Sequence, residues 1–192
     1  MIKIGIIGDI GSGKSFVARQ FGYPVFNADK EVTKIYKKDK NCFNKLKKKL
    51  PKYITDFPIK KKQLKTAVLK DRKNIKKIEK IIHPKVKKNI KKFIQINKKK
   101  RLLIFDIPLL LEKKSFKNNY ILIFVDAKQK DIKKRLEKRK GFNKKIFNTL
   151  KKSQLPLEIK KKKSNYLIKN DFNKLNIKKR VKILLKKILN KQ

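Results

Sequence analysis

The stretch that most narrows what this chain can fold into is its first twenty-two residues. A short, mostly apolar run from Ile2 to Ile7 closes at Gly8 and passes into Asp9-Ile10-Gly11-Ser12-Gly13-Lys14-Ser15; Ser15 to Phe21 then reads as a helix ending near Gly22. A run with so little polarity is expected to be a strand buried on both faces, as in a parallel sheet. Gly8 to Ser15 fit G-x-x-x-x-G-K-[ST] at every fixed position, in the strand-turn-helix setting that a phosphate loop requires. Glycines let such a loop wrap so that successive N–H groups point at phosphate oxygens, and the helix start adds its positive end. Lys14 would carry a point charge to the phosphoryl group in transfer, and the Ser15 hydroxyl would ligate Mg²⁺. Gly8, Asp9, Ile10, Gly11, Ser12, Gly13, Lys14 and Ser15 are therefore the expected cradle for a nucleoside triphosphate, ATP.

The remaining pattern alternates strands and helices. Pro24 to Phe26 fits a second short strand, and the apolar runs Leu102 to Phe105 and Tyr120 to Val125 fit two buried parallel strands ending at Asp106 and Asp126. Tyr166 to Ile168 fits a last one. Between them, residues 30–50 carry apolar positions at helical spacing until Pro51. Further helical patterns cover residues 62–69 and 74–82, another starts at Pro84 and continues to about Ile96, and more cover 130–140 and 144–163. Ile177 to Leu189 reads as a closing amphipathic helix. The chain has 192 residues, enough for one α/β domain with insertions, and the alternation predicts three layers with crossover connections.

Charge raises a competing possibility. Sixty Lys and Arg against 14 Asp and Glu give a net charge of +46, which could mark a nucleic-acid binder or a nucleic-acid-stimulated ATPase. The basic runs, at residues 47–49, 60–62, 98–101 and 160–163, are spread over almost every loop and helix face. Only six of the 60 cations are arginine, and no aromatic stacking motif of the RNA-binding kind occurs, so solvated lysine and non-specific, salt-sensitive polyanion binding are expected. The lone cysteine, Cys42, excludes an internal disulfide and any multi-cysteine zinc site. No uncharged stretch approaches the ~20 residues of a membrane span, and the first strand follows Met1 without a cationic leader. A cytoplasmic protein without membrane or specific nucleic-acid partners is expected.

In open α/β sheets ligands bind outside the carboxyl ends of strands, so the polar residues there are the catalytic candidates. Asp29 is expected across the crevice from the phosphate loop, as a base for an attacking hydroxyl or as the cap of a helix starting near Lys30. Asp106 has the form of a Mg²⁺ partner, or of a turn residue before Pro108. Asp126 is the weakest of the three, since Asp often caps a strand exit. Arg135 and Arg139 stand four apart on one helix, where both guanidinium groups can clamp phosphate or form surface ion pairs. His83, before Pro84, reads as a packing or capping residue at a helix start.

Together these segments resemble the dephospho-CoA kinase family over most of the chain. Gly8 to Ser15 look like its phosphate loop, Ala28-Asp29 like its aspartate segment, and Ile82-His83-Pro84 like the His-Pro that ends its helical pattern. Asp106-Ile107-Pro108-Leu109-Leu110-Leu111-Glu112 is similar to its Pro-Leu-Leu-Phe-Glu signature. Arg135 and Arg139 match arginines leading into a lid, Gln154 and Pro156 match lid residues, and Asn170 matches an asparagine near the adenine. The resemblance implies a P-loop NTPase fold with a parallel sheet, in which residues 1–29, 98–138 and 164–192 form the nucleotide core. Residues 30–97 would be a helical CoA-binding insertion and 139–163 a helical lid. It implies ATP and Mg²⁺ as cofactors and dephospho-CoA as acceptor, in a monomer or small homo-oligomer; another small nucleoside or nucleotide kinase is the nearest alternative. The implied catalytic residues are Asp29, Lys14 and Arg139. Arg135, Arg139 and Asn170 join the loop in holding nucleotide, and His83, Pro108, Leu109, Leu110 and Glu112 join Asp29 on the acceptor side. Ser15 and Asp106 would hold the metal. Asn27, Lys60-Lys61, Leu111, Leu150 and Asn165 depart from the family pattern, where Asp, Asp-Arg, Phe, Arg and Asp are usual.

Overall fold

The computed structural model describes residues 1–107, 120–138, 141–152 and 154–190. Five strands form one parallel sheet: β1 (Ile2–Gly8), β2 (Val25–Asn27), β3 (Leu102–Asp106), β4 (Ile121–Asp126) and β5 (Tyr166–Lys169). Their order is β2-β3-β1-β4-β5. The chain leaves β1 toward one edge and later crosses β1 to reach β4, so the direction of winding changes beside the central strand. Register places Asn27 opposite Asp106 and Gly8 opposite Val125, all at carboxyl ends.

One face of the sheet contributes Ile4, Ile6, Leu102, Ile104, Ile123, Val125 and Ile168 to a buried cluster. Covering it are Val17, Ala18 and Phe21 of α1 (Lys14–Gln20) and Ile177, Val181, Leu184 and Ile188 of α9 (Lys174–Asn190). Side chains alternate across a strand, so Leu103, Phe105 and Phe124, also fully or nearly fully buried, belong to the opposite face. There Phe105 meets Phe26 at 6.3 Å and, edge-on, Tyr120 at 5.1 Å between ring centroids. Burial on both faces explains why these strands read as apolar runs rather than alternating ones. Asn165 is a structural replacement: its carboxamide oxygen accepts from the Leu122 amide at 2.8 Å, as a carboxylate would.

The chain divides into two compact units. The first comprises Met1–Asn27, Asn97–Phe142 and Ser153–Gln192 and holds the sheet; the second comprises Ala28–Ile96 and Asn143–Lys152 and is helical. Besides α1 and α9, the first unit contains α6 (Gln129–Glu137) and α8 (Leu157–Lys162). The second contains α2 (Ala28–Lys38), α3 (Lys40–Lys49), α4 (Lys61–Lys70), α5 (Lys73–Ile96) and α7 (Lys144–Lys152). Within it, α5 packs against α2, α3 and α4.

Two expectations for this helical unit are corrected. The periodic segment 30–50 is two helices, because Asp39 leaves helical geometry and its side chain accepts from the Cys42 amide at 2.8 Å, starting α3. Conversely, α5 runs uninterrupted through Pro84, so His83 is a half-buried residue inside a 24-residue helix and not at a helix start. Proline removes the bond to the carbonyl four residues earlier. Pro84 and Lys80 are both exposed, so that carbonyl can be hydrated, while Ile82, Val86 and Ile90 are buried and hold the helix in place.

Asp39 also pairs with Lys85, linking the start of α3 to α5. Burial alone would raise the Asp39 carboxyl, but the Lys85 hydrogen bond and the Cys42 amide outweigh it and hold the group below its ordinary range. Asp39→Ala is expected to lower the free energy of unfolding at pH 7 by about 1–2 kcal/mol, measured by urea denaturation. A depressed carboxyl contributes stability above its unfolded pKa of about 3.9, and loses it as pH falls through the folded value. The wild type and the variant should therefore converge under acid. A gap that persists or widens there would exclude this role.

Candidate functional site

The loop between β1 and α1 has the geometry its sequence demands. Gly13 caps α1 in the left-handed region, φ 89°, and a Cβ there would lie 2.4 Å from Nδ2 of Asn170. At Gly8 a Cβ would lie 2.7 Å from the Val125 carbonyl oxygen and 2.9 Å from Oγ of Ser12. Both positions thus exclude any side chain, so the loop is closely packed on β4 and on the turn after β5. At the head of α1 the Phe16 and Val17 amides donate to the Gly13 carbonyl, at 2.9 and 3.1 Å, and a helix start of this kind favours an anion.

The loop's side chains are held from several directions. Lys14 Nζ donates to the carbonyls of Asp9, at 2.6 Å, and Gly8, at 3.4 Å. Asp9 is buried: its Oδ1 accepts from the Ile10 amide at 2.7 Å and its Oδ2 from Gln129 Nε2 at 3.0 Å, tying the loop to α6. Asn170 Nδ2 donates to the Ser12 carbonyl at 2.7 Å while its Oδ1 accepts from the Phe172 amide at 2.9 Å. The Ser12 hydroxyl, fully buried, has no partner among the described residues. An unpaired buried hydroxyl is costly, which suits a loop completed by a polar ligand.

At the head of α1, Ser15 Oγ donates to Asp106 Oδ2, and Asn27 Nδ2 donates to the same oxygen. Asp106 ends β3 and is nearly fully buried. It is therefore drawn into the site and does not serve merely as a turn residue. A hydroxyl and a carboxylate in contact are hard oxygen donors of the kind Mg²⁺ takes while keeping water and phosphate oxygens. The residues present fit that ion.

Other expected positions fall out differently. Asp29 is exposed in the first turn of α2, which starts one residue earlier at Ala28, so it is not the cap of a helix starting near Lys30. It belongs to the second unit, as does His83. Arg135 lies with its guanidinium carbon 4.4 Å from the ring centroid of Phe172, a cation–π contact. Asp126 faces Lys161 at 3.7 Å, and its backbone carbonyl accepts from Asn170 at 2.6 Å, so it organises the turn that carries Asn170. Arg139, Pro108, Leu109, Leu110 and Glu112 lie outside the described residues. Sequence reasoning missed Asn27, Gln129 and Phe172. Asn27 was marked only as a departure from the family pattern, and nothing local signals that Gln129 reaches back 120 residues.

A model of the dephospho-CoA kinase family matches residues 2–176. The chain is 36% identical over 175 residues to the dephospho-CoA kinase of Aquifex aeolicus, covering 88% of this chain and 89% of that protein. It is 34% identical over 176 residues to that of Wolbachia pipientis, covering 89% and 90%. Among solved structures it is similar to TT1252 from Thermus thermophilus, with a TM-score of 0.77 and 27% identity over 99% of this chain and 97% of the other. The dephospho-CoA kinase from Campylobacter jejuni, at 22% identity and a TM-score of 0.63, covers 97% and 96% and shares the fold.

Proposed function

This chain belongs to the dephospho-CoA kinase family, and from that premise we propose that it moves the γ-phosphoryl group of ATP to the ribose 3′-hydroxyl of dephospho-CoA, giving CoA and ADP. The observation that most supports a phosphoryl-transfer site is the junction of Ser15, Asn27 and Asp106 beside the closed glycine loop. The reaction makes little covalent demand on the protein, so charge and positioning carry the catalysis. Loop amides and Lys14 take up the charge that develops on phosphate oxygens. Ser15 and Asp106 would hold Mg²⁺, which when bound would supply positive charge to offset that of the phosphates. Asn27, by donating to both of those side chains, keeps the Asp106 carboxylate turned toward the serine.

Asp29 is the proposed acceptor of the 3′-hydroxyl proton. Arg135 and Arg139 are proposed for the nucleotide, with Asn170 bracing the loop under it. His83, Pro108, Leu109, Leu110 and Glu112 are proposed for the acceptor. Residues 30–97 would bind the CoA moiety and 139–163 would close as a lid that excludes water. We place the enzyme in the cytoplasm, as a monomer or small homo-oligomer. No helix among the described residues is long and apolar enough to cross a membrane.

The test is an assay of ADP release with ATP, Mg²⁺ and dephospho-CoA, with CoA itself as the blocked acceptor. AMP, GMP, CMP, uridine, shikimate and RNA serve as competing additions. Turnover only with dephospho-CoA is the expected result. Faster turnover with a nucleotide acceptor, or hydrolysis stimulated by RNA, would replace this reading.

A further inference from the structure

Two acids are buried among the described residues, Asp9 and Asp106. Asp106 meets Ser15 and Asn27 at the junction that fits a metal ion. Asp9 has other neighbours: its two carboxylate oxygens accept from the Ile10 amide at 2.7 Å and from Gln129 Nε2, in the first turn of α6, at 3.0 Å. An acid is the opposite of what an anion-binding loop calls for. From Gly8 to Ser15, Asp9 is the one anionic side chain and Lys14 the one cationic one, so the loop's side chains carry no net charge. The chain has 14 acids against 60 bases, so compositional drift favours lysine at such a position, not aspartate.

Three features set this carboxylate against a bound phosphate. Asp9 is only 3% exposed, so water and salt screen its charge poorly. It occupies the Ile10 N–H, a loop amide of the kind that otherwise turns to phosphate oxygens. Lys14 Nζ donates to the Asp9 carbonyl at 2.6 Å, which places the loop's cation beside the residue that carries its anion.

We infer that Asp9 is an internal counter-anion of the phosphate loop, which competes with the bound phosphates for the loop's positive field and holds down affinity for ATP and ADP, so that product leaves quickly. The inference rests on the proposed binding of ATP by this loop and not on the identity of the acceptor. Binding that is equally tight in the ground state and the transition state adds nothing to kcat, and slow loss of ADP delays the next turnover. A charge that weakens the hold on every phosphorylated state serves release.

Asp9→Asn removes the charge and keeps the contacts: the carboxamide oxygen still accepts from the Ile10 amide, and Gln129 can turn its own carboxamide to accept where it donated before. Asp9→Ser is a second uncharged variant, smaller and still able to accept from that amide. Thermal melts establish that each is folded. Calorimetric titration of the full-length proteins with ATP, ADP and AMP in Mg²⁺ is expected to give a Kd for ADP about tenfold lower than wild type, at least as large a gain for ATP and the smallest for AMP. Displacement kinetics should place the gain in slower dissociation of ADP. A purely structural role would not make the gain rise with the number of phosphates.

A Kd for ADP that is unchanged or raised in the folded variants would overturn the inference. So would an equal gain for all three nucleotides, or loss of folding in both variants, which would assign Asp9 to the fold. If the wild type binds ATP but does not phosphorylate dephospho-CoA, the proposed reaction falls and the titrations still decide the role of Asp9. If neither the wild type nor the variants bind nucleotide, the counter-anion falls as well.

Discussion

Changing Lys14 to alanine is expected to lower kcat by about 10³-fold, the upper range for removing one donor aimed at developing charge in a water-poor site. The side chain has two tasks. Its ammonium sits over the loop, donating to the carbonyls of Asp9 and Gly8, and so both closes the loop and places a positive charge at its mouth. On the proposed mechanism, losing it would remove the charge that offsets the transferring phosphoryl group, and it releases the Asp9 and Gly8 carbonyls from their donor. ATP affinity should fall as well, because the ground-state phosphates also lose this partner. Single-turnover kinetics with saturating dephospho-CoA, together with equilibrium binding of ATP, would check both effects. A kcat within about tenfold of wild type would remove Lys14 from the transfer step.

Asp29→Asn is expected to lower kcat by about 10²-fold or more while leaving ATP affinity near the wild-type value. The carboxamide keeps the shape and the hydrogen-bonding reach of the side chain but cannot take a proton. Asp29 is exposed in the first turn of α2 and lies two residues after Asn27 in sequence. Its backbone carbonyl, not its side chain, accepts from Thr33 Oγ1 at 2.8 Å, so that bond survives the substitution. Thermal melts of the two proteins separate a loss in kcat from a loss of folding, and the loss is expected in kcat. Equal kcat for the two proteins would leave the hydroxyl to be deprotonated by another group, and the acid to a role in substrate placement.

The two substitutions also probe different parts of what sequence can say. Lys14 was legible because the loop's chemistry is local: glycine spacing, the lysine and the serine lie within eight residues, and the flanking strand and helix follow from neighbouring periodicity. Asp29 was legible only as one of two readings, base or cap. The helix starts at Ala28, two residues before the expected Lys30, which leaves Asp29 inside the first turn, and a shift of this size lies below what periodicity resolves. The same limit explains the helical unit. Asp39 divides one apolar pattern into two helices through a side-chain cap, while Pro84, a stop signal by itself, is carried through α5 by burial on the neighbouring turns.

The chain's own pattern was enough to point to a phosphate loop, a set of apolar runs consistent with strands of a parallel sheet covered on both faces, and a helical block between the second and third of them. These are consequences of short-range period and turn chemistry. Which strands lie side by side was decided only in the tertiary structure, because all the buried strands carry the same kind of apolar signal and none names its neighbour. The order β2-β3-β1-β4-β5 brings Asp106 against Ser15 across 91 residues, Asn27 against both, and Asn170 under Ser12 across 158. Close packing of strands with no pairing code of their own brings these distant side chains together at one end of the sheet.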